Sequence, residues 1–123
     1  MTLREQFFSM GEVPVEQVRL AVGTIYVRGM TAKERSEYDA QFRLASGKPN
    51  RRKQLMARAL MVVQHCEDED GNKLFTESDL ATIEAMPAAV IEPIVDAACR
   101  VSGMTAEDVD EAAKNSDEAD SGN

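Results

Sequence analysis

The sequence is poor in aromatic residues and lacks the features of membrane and secreted proteins. It has no tryptophan, 2 tyrosines and 4 phenylalanines among 123 residues, so its core must be aliphatic and padded with methionine. No apolar run approaches the roughly 18–20 residues that span a bilayer, and the first residues lack a signal-peptide pattern. We therefore expect a cytoplasmic protein that does not enter a membrane.

Cysteine and histidine are too few to build an ordinary metal site or catalytic dyad. Cys66 and Cys99 lack CxxC spacing and fall on apolar helical stretches, which predicts reduced core residues rather than a disulfide. His65 is the single histidine, and the chain has no GxSxG, P-loop or GxGxxG motif. The acidic turn at residues 68–72 is suggestive of an EF-hand loop, but Cys66 stands where the first carboxylate ligand belongs. The sequence predicts no enzyme activity, no cofactor and no metal ion.

Charge is divided unevenly along the chain. Residues 1–60 have a net charge of +5 and residues 61–123 a net charge of −13, for a total of −8. The negative total disfavours nonspecific nucleic-acid binding, which needs a basic surface. The division predicts head-to-tail self-association or steering onto a partner; the alternative is that the acidic half only adds solubility.

A basic cluster interrupts this pattern at the start of a predicted helix. Arg51, Arg52 and Lys53 stand at an N-terminus, where the helix dipole makes positive charge mildly unfavourable. The cluster is therefore a candidate contact for an acidic protein surface, such as the acidic half of this chain. A merely solvated loop is the alternative, and nucleic-acid binding is disfavoured because no aromatic platform is interleaved with it.

The residue pattern predicts an α+β fold that is mostly helical, with four to five helices around one aliphatic core. Alternating valines and a run rich in β-branched residues predict a β-hairpin at about 12–28. Capping patterns at Thr31, Thr76 and Thr105 mark helix starts, and Gly103 marks a helix end. Helices are predicted at about 32–45, 51–66, 76–85 and 87–103, with a short one after Thr105. Pro93 either kinks the fourth helix or marks its true start.

The predicted helix at 51–66 has one broad apolar face, expected in the core, that includes Leu55, and an opposite polar face. Arg58, Gln64 and His65 fall on the polar face, and so does Met61. Methionine suits adaptable binding surfaces, so Met61 is a candidate partner contact. Three further candidates of the same kind are Met30, Met86 and Met104. We expect residues 1–113 to form one domain and residues 114–123 to form a disordered acidic tail.

Three segments resemble the tail assembly chaperones of long-tailed phages and prophages. TIYVRGMTAKER, at residues 24–35, resembles that family's strand and its "Arg-Gly-Leu/Met-Thr-x-x-Glu-Arg" helix entry. EDGNKLFT, at residues 69–76, resembles its "Asp-Gly-x-x-Leu-Phe-Thr" turn, and residues 88–103 resemble its closing helix. The resemblance covers roughly residues 13–115. Pro93 and the long first segment depart from the family pattern.

The resemblance implies a non-enzymatic protein that binds the tape-measure protein and recruits tail-tube subunits. It also implies that the protein acts in the host-cell cytoplasm, is absent from the mature virion, and has an extended form made by ribosomal frameshifting. Ala113-Lys114-Asn115 can be encoded GCA-AAA-AAC, which contains a slippery heptamer, so a frameshift is predicted near 113–115. The alternative function is an acidic helical adaptor or inhibitor, either protein-binding or a DNA mimic, unrelated to tails.

Overall fold

A three-stranded antiparallel sheet and a set of short helices form the part of the chain that the computed structural model describes, residues 1–105 and 107–111. The predicted α+β fold is confirmed, but the helices are shorter and more numerous than the four to five expected. The elements are helix α1 (Leu3–Phe8), strands β1 (Val15–Leu20) and β2 (Gly23–Arg28), helices α2 (Ala32–Ala40), α3 (Arg51–Leu55) and α4 (Ala57–His65), strand β3 (Cys66–Glu67), a 3-10 turn (Glu77–Asp79), and helices α5 (Leu80–Glu84) and α6 (Ala88–Ser102). Residues 107–111 are also helical.

The predicted hairpin is confirmed and is packed against a helix. Strands β1 and β2 pair antiparallel, and β3 adds to the other edge of β2. Val18 and Val27 are buried, and both β1 and β2 contact α6. An isolated hairpin is only marginally stable in water, so this burial against α6 stabilises the sheet.

The chain leaves the sheet through a glycine that is pressed against α6. A Cβ atom at Gly29 would collide with the carbonyl oxygen of Val101 and lie 2.9 Å from its carbonyl carbon. Two residues further on, the predicted capping box is confirmed. The Thr31 amide donates to Glu34 Oε1 at 2.9 Å, and the Glu34 amide donates to Thr31 Oγ1 at 3.1 Å. The Gly-Met-Thr entry to α2 is therefore fixed by local sterics and hydrogen bonds.

The helix predicted at 51–66 is interrupted at Met56, whose φ of −103° and ψ of 16° are not helical. The interruption changes which side chains are buried. Leu55, expected in the core, is 69% exposed, whereas Met61 is fully buried and His65 is 2% exposed. The prediction of an exposed Met61 is wrong because α5 and α6 both contact α4, which is therefore buried on nearly every side.

The ends of α2 and α6 and the state of the two cysteines can also be compared with the predictions. Helix α2 ends at Ala40, earlier than predicted, and α6 runs continuously through Pro93, which therefore does not mark its start. Gly103 ends α6 with a φ of 68°, as predicted. Cys66 and Cys99 are buried free thiols, as predicted. The expected acidic tail at 114–123 and the frameshift point near 113–115 lie outside the described residues.

Replacing Gly29 with alanine should destabilise the fold, because the added methyl group forces the end of β2 away from α6. We expect Gly29→Ala to lower the free energy of unfolding by about 1–3 kcal/mol, measured by urea denaturation. Gly47→Ala is the control, since no atom lies within 4 Å of a Cβ there and only its positive φ of 87° is strained. A smaller loss for Gly29→Ala than for this control would contradict the proposed close contact.

Candidate protein-docking groove

A groove of about 270 Å³ opens where α3 meets α4. Residues of α5 and α6 and residues 109 and 110 also line it. Met56 lies between α3 and α4, and it lines the groove together with Leu55 at the end of α3. Its wall is mainly apolar, with side chains from Leu55, Met56, Ala59, Ile83, Met86, Ala88, Ile91 and Val109.

Two large apolar side chains stand exposed at the edge of this groove. Leu55 is the last residue of α3 and is 69% exposed. Met86 lies in the turn between α5 and α6 and is 42% exposed. Adjacent exposed apolar side chains beside a concave surface are typical of protein interaction sites.

Three of the residues that line the groove form an ion-pair cluster. One guanidinium nitrogen of Arg58, Nη1, lies 2.8 Å from both carboxylate oxygens of Glu92. The other, Nη2, lies 2.6 Å from Asp110 Oδ1. The three side chains are about half exposed, so each pair contributes only about 0–1 kcal/mol. Their effect is geometric, because Arg58 links α4 to α6 and to the 107–111 helix.

The groove wall also contains an unpaired polar atom. Gln54 is buried, and its Oε1 has no hydrogen-bond partner among the described residues. Leaving a buried acceptor unpaired costs about 1–3 kcal/mol.

The structure separates the methionines that the sequence grouped as partner contacts. Met86 lies at the groove, and Met30, which is partly buried, lines a different cavity. Met104 is 7% exposed and belongs to the core, as Met61 does. The prediction of an exposed Met61 is therefore wrong, and Met104, a candidate partner contact, is buried in the core as well.

The basic cluster lies beside the groove, on the first turns of α3. Asn50 caps this helix by accepting from the Lys53 amide at 3.2 Å. Arg51 and Arg52 are exposed, and Lys53 Nζ lies 3.6 Å from Glu77 Oε1. Lys53 thus makes the expected contact between the basic cluster and the acidic half of this chain.

The structure shows a second exposed apolar surface, at the N-terminus, which the residue pattern did not predict. Helix α1 contains no buried residue. The large apolar side chains in and beside α1 are 61–87% exposed, and we call them the N-terminal apolar segment: Met1, Leu3, Phe7, Phe8 and Met10. The available signal was the Thr2-x-x-Glu5 pattern, the same type as at Thr31. Thr2 Oγ1 accepts from the Glu5 amide at 3.1 Å.

His65 lines a second cavity that shares no residue with the groove. Its surroundings determine which ring nitrogen carries the proton. Nδ1 lies 2.8 Å from the Met61 carbonyl oxygen. A carbonyl can only accept, so Nδ1 carries the proton in the neutral ring. Burial lowers the pKa of His65, and Lys73 lowers it further, against the opposing effects of the Met61 hydrogen bond and Glu34.

Comparisons of the chain with protein-family models, with curated proteins and with solved structures find no match. Within residues 1–105 and 107–111, no helix is long and apolar enough to cross a membrane. The same residues contain no group of three or more His, Cys, Asp or Glu side chains placed to hold a metal ion.

Acidification should destabilise the protein through His65. Its pKa is lower in the folded state than the unfolded value of about 6.5, so the unfolded state binds more protons below that pH. The stabilisation by neutral His65 is complete above about pH 6.5 and is lost as the pH falls through the folded-state pKa. Urea denaturation at about pH 7.5 and about pH 5 measures this loss.

The control for this measurement is His65→Asn, which supplies an N–H for the Met61 carbonyl but does not titrate. We expect the variant to lose less stability than the natural protein over the same pH interval. Equal losses in the two proteins would show that other groups cause the acid sensitivity.

Proposed function

We propose that this protein is a tail assembly chaperone of a long-tailed phage or prophage, and that it works by binding rather than by catalysis. Its client would be an amphipathic helix of the tape-measure protein, held in the groove while tail-tube subunits are recruited. The observation that carries the proposal is the open apolar groove with Leu55 and Met86 exposed at its edge. The proposed place of action is the host-cell cytoplasm, with the protein absent from the mature virion.

The shape and chemistry of the groove suit a helix. An amphipathic helix binds in a groove through apolar anchors at positions i, i+3, i+4 and i+7. A volume of about 270 Å³ is just below the roughly 300–1,000 Å³ of small-molecule pockets, so the groove accepts a few side chains rather than a whole helix. A client helix would therefore lie along the opening and insert two or three apolar side chains.

Charges around the groove would orient such a helix. Arg52 is exposed on α3, whose last residues line the groove, and Glu84 of α5 is an exposed acidic residue of the lining. A helix with acidic residues along one edge and basic residues along the other matches this arrangement. Electrostatic complementarity of this kind favours one orientation of the client over its reverse.

The segments that resemble the family occur at points that fix this fold. Gly29 permits the close approach of the sheet to α6, and Thr31 starts α2. In the acidic turn, Asp68 Oδ1 accepts from the amides of Asp70 and Asn72 at 2.9 and 3.0 Å. The segments that resemble the family therefore contain residues that stabilise this fold. This supports the proposal that the chain and the family share the order strand, capped helix, turn and closing helix.

A second exposed apolar surface supports the recruiting role. The N-terminal apolar segment is separate from the residues that line the groove, so one molecule offers two apolar contact surfaces. We assign the tail-tube protein, or a further copy of this chain, to the N-terminal apolar segment. The alternative of an acidic inhibitor or DNA mimic is less well supported, because Glu16, Glu77, Glu92 and Asp110 are engaged in ion pairs within the chain.

Introducing charge at the groove should release the client. We expect the double variant Leu55→Glu, Met86→Glu to reduce recovery of co-expressed tape-measure protein at least about tenfold, because burying one large apolar side chain is worth about 1.5–3 kcal/mol. The measurement is affinity co-purification, with circular dichroism to check that the variant folds.

Val22→Glu is the control, since Val22 is apolar and 95% exposed but lies in the β1–β2 turn, outside the groove. It should leave recovery unchanged. Unchanged recovery with the double variant would exclude the groove as the client site. Failure of the natural protein to bind any tape-measure protein would overturn the proposed function itself.

The predicted frameshift has its own test. If the codons for residues 113–115 form the slippery heptamer, expression of the gene should yield a minor, longer product that shares the sequence before that point. Mass spectrometry of the expressed protein detects it, and synonymous codons that break the heptamer should abolish it. A gene whose codons already break the heptamer would exclude this mechanism.

A further inference from the structure

Helix α1 has no buried face. Every residue from position 1 to position 12 is exposed, and α1 contributes no side chain to the core. Isolated helices shorter than roughly 12–15 residues are marginal in water, and α1 has 6 residues. A contact with a second molecule would therefore stabilise this helix and bury its apolar side chains.

The apolar side chains of α1 have the spacing of a helix that binds in a groove. Leu3, Phe7 and Met10 fall at positions i, i+4 and i+7, and we call them the three anchors. The helical turn continues past the end of α1, because the Met10 amide donates to the Phe7 carbonyl oxygen at 3.1 Å. Anchors at these positions are typical of an amphipathic helix held in an apolar groove.

The groove between α3 and α4 has the size and chemistry to accept these anchors. Its volume of about 270 Å³ accepts a few side chains, and Leu55 and Met86 are exposed at its edge. No residue of the N-terminal apolar segment lines the groove. Among the described residues, one chain thus has both an uncovered apolar helix and an uncovered apolar groove.

The two surfaces also have opposite charges that lack an ion-pair partner within residues 1–105 and 107–111. On the segment the charge is Arg4, whose guanidinium carbon lies 5.0 Å from the centre of the Phe8 ring. In the groove it is Glu84, since the other two lining carboxylates pair with Arg58. Glu5 falls on the face of α1 opposite to the three anchors, so it does not oppose a contact with Glu84.

We propose that the N-terminal apolar segment of one copy of this protein binds in the groove of a second copy. The three anchors would contact the apolar wall, and Arg4 would pair with the partner's Glu84. Because the two surfaces differ, the contact is head-to-tail, and each complex keeps one segment and one groove open. A segment and a client would exclude each other at the groove, but the inference concerns the protein alone and does not depend on the proposed function.

The contact is small, so self-association should be weak. Three apolar side chains and one ion pair bury much less than the roughly 1,200–2,000 Å² of a stable interface. We expect a dissociation constant of about 10 µM to 1 mM. Sedimentation velocity should show a sedimentation coefficient that rises with protein concentration across this range.

Two double variants that each remove one of the two surfaces test the pairing. Leu3→Glu with Phe7→Glu removes the segment, and Leu55→Glu with Met86→Glu removes the groove. All four side chains are exposed, so both variants should fold, which circular dichroism checks. Each variant alone should remain monomeric. An equimolar mixture should form a dimer that grows no further, because it retains one intact segment and one intact groove.

The alternatives give different results. A natural protein that stays monomeric over the whole concentration range would overturn the proposal. Self-association of either double variant alone would show that copies meet through other surfaces, and a mixture without dimers would show that the segment does not bind the groove. Val22→Glu is the control, and it should associate as the natural protein does because Val22 lies outside both surfaces.

A charge exchange tests the contact between Arg4 and Glu84. Arg4→Glu and Glu84→Arg should each weaken self-association about fivefold, the most that one exposed ion pair contributes. Combining the two substitutions in one chain should restore the natural affinity. Glu69→Arg makes the same change in net charge outside the groove and should not weaken association. A combined variant as weak as the single ones would contradict the proposed orientation.

Discussion

The contacts of α6 with both the sheet and α4 hold the described elements together. Val95, Ala97 and Ala98 are completely buried, and two of these three side chains are no larger than a methyl group. Small side chains let neighbouring elements approach the helix closely from more than one side. The same closeness requires a glycine at position 29, where the end of β2 meets the carbonyl of Val101. Hydrophobic burial around one central helix thus sets the positions of the hairpin, α4 and the groove.

Local features of the fold were predictable because their causes lie within a few residues. The capping boxes at Thr31 and Thr76 and the left-handed Gly103 each depend on hydrogen bonds or sterics inside one turn of chain. The hairpin was predictable for a similar reason, since its alternating pattern and Gly23 determine the register directly.

The burial of α4 and the groove depend on long-range packing and were not predictable in the same way. The sequence around Met56 contains neither proline nor glycine, so nothing local marks the break between α3 and α4. Periodicity identifies the most apolar face of a helix but not how many neighbours cover it. Met61 and His65 were therefore placed on the surface, and Leu55 was placed in the core. Residues on both sides of this break line the groove, so they could not be grouped from the sequence.

Folding also reduces the charge contrast between the two halves of the chain. Arg58 of the basic half pairs with Glu92 and Asp110, and Lys53 pairs with Glu77. Arg100, from the acidic half, donates from Nε to Glu16 Oε1 at 2.9 Å, and this hydrogen bond lowers the pKa of Glu16. Part of the opposite charge is thus satisfied within one molecule, which leaves less of it to drive head-to-tail association.

The position of Asp110 in the groove wall has a consequence for any polypeptide joined downstream of it. A frameshift near residue 115 would attach a new segment about five residues beyond Asp110, which is at most about 18 Å of extended chain. A short tether of this kind gives the attached segment a local concentration in the millimolar range beside whatever occupies the groove. Even if the attached segment bound a client helix only weakly, the client in the groove and the attached segment would then stay in contact on one molecule.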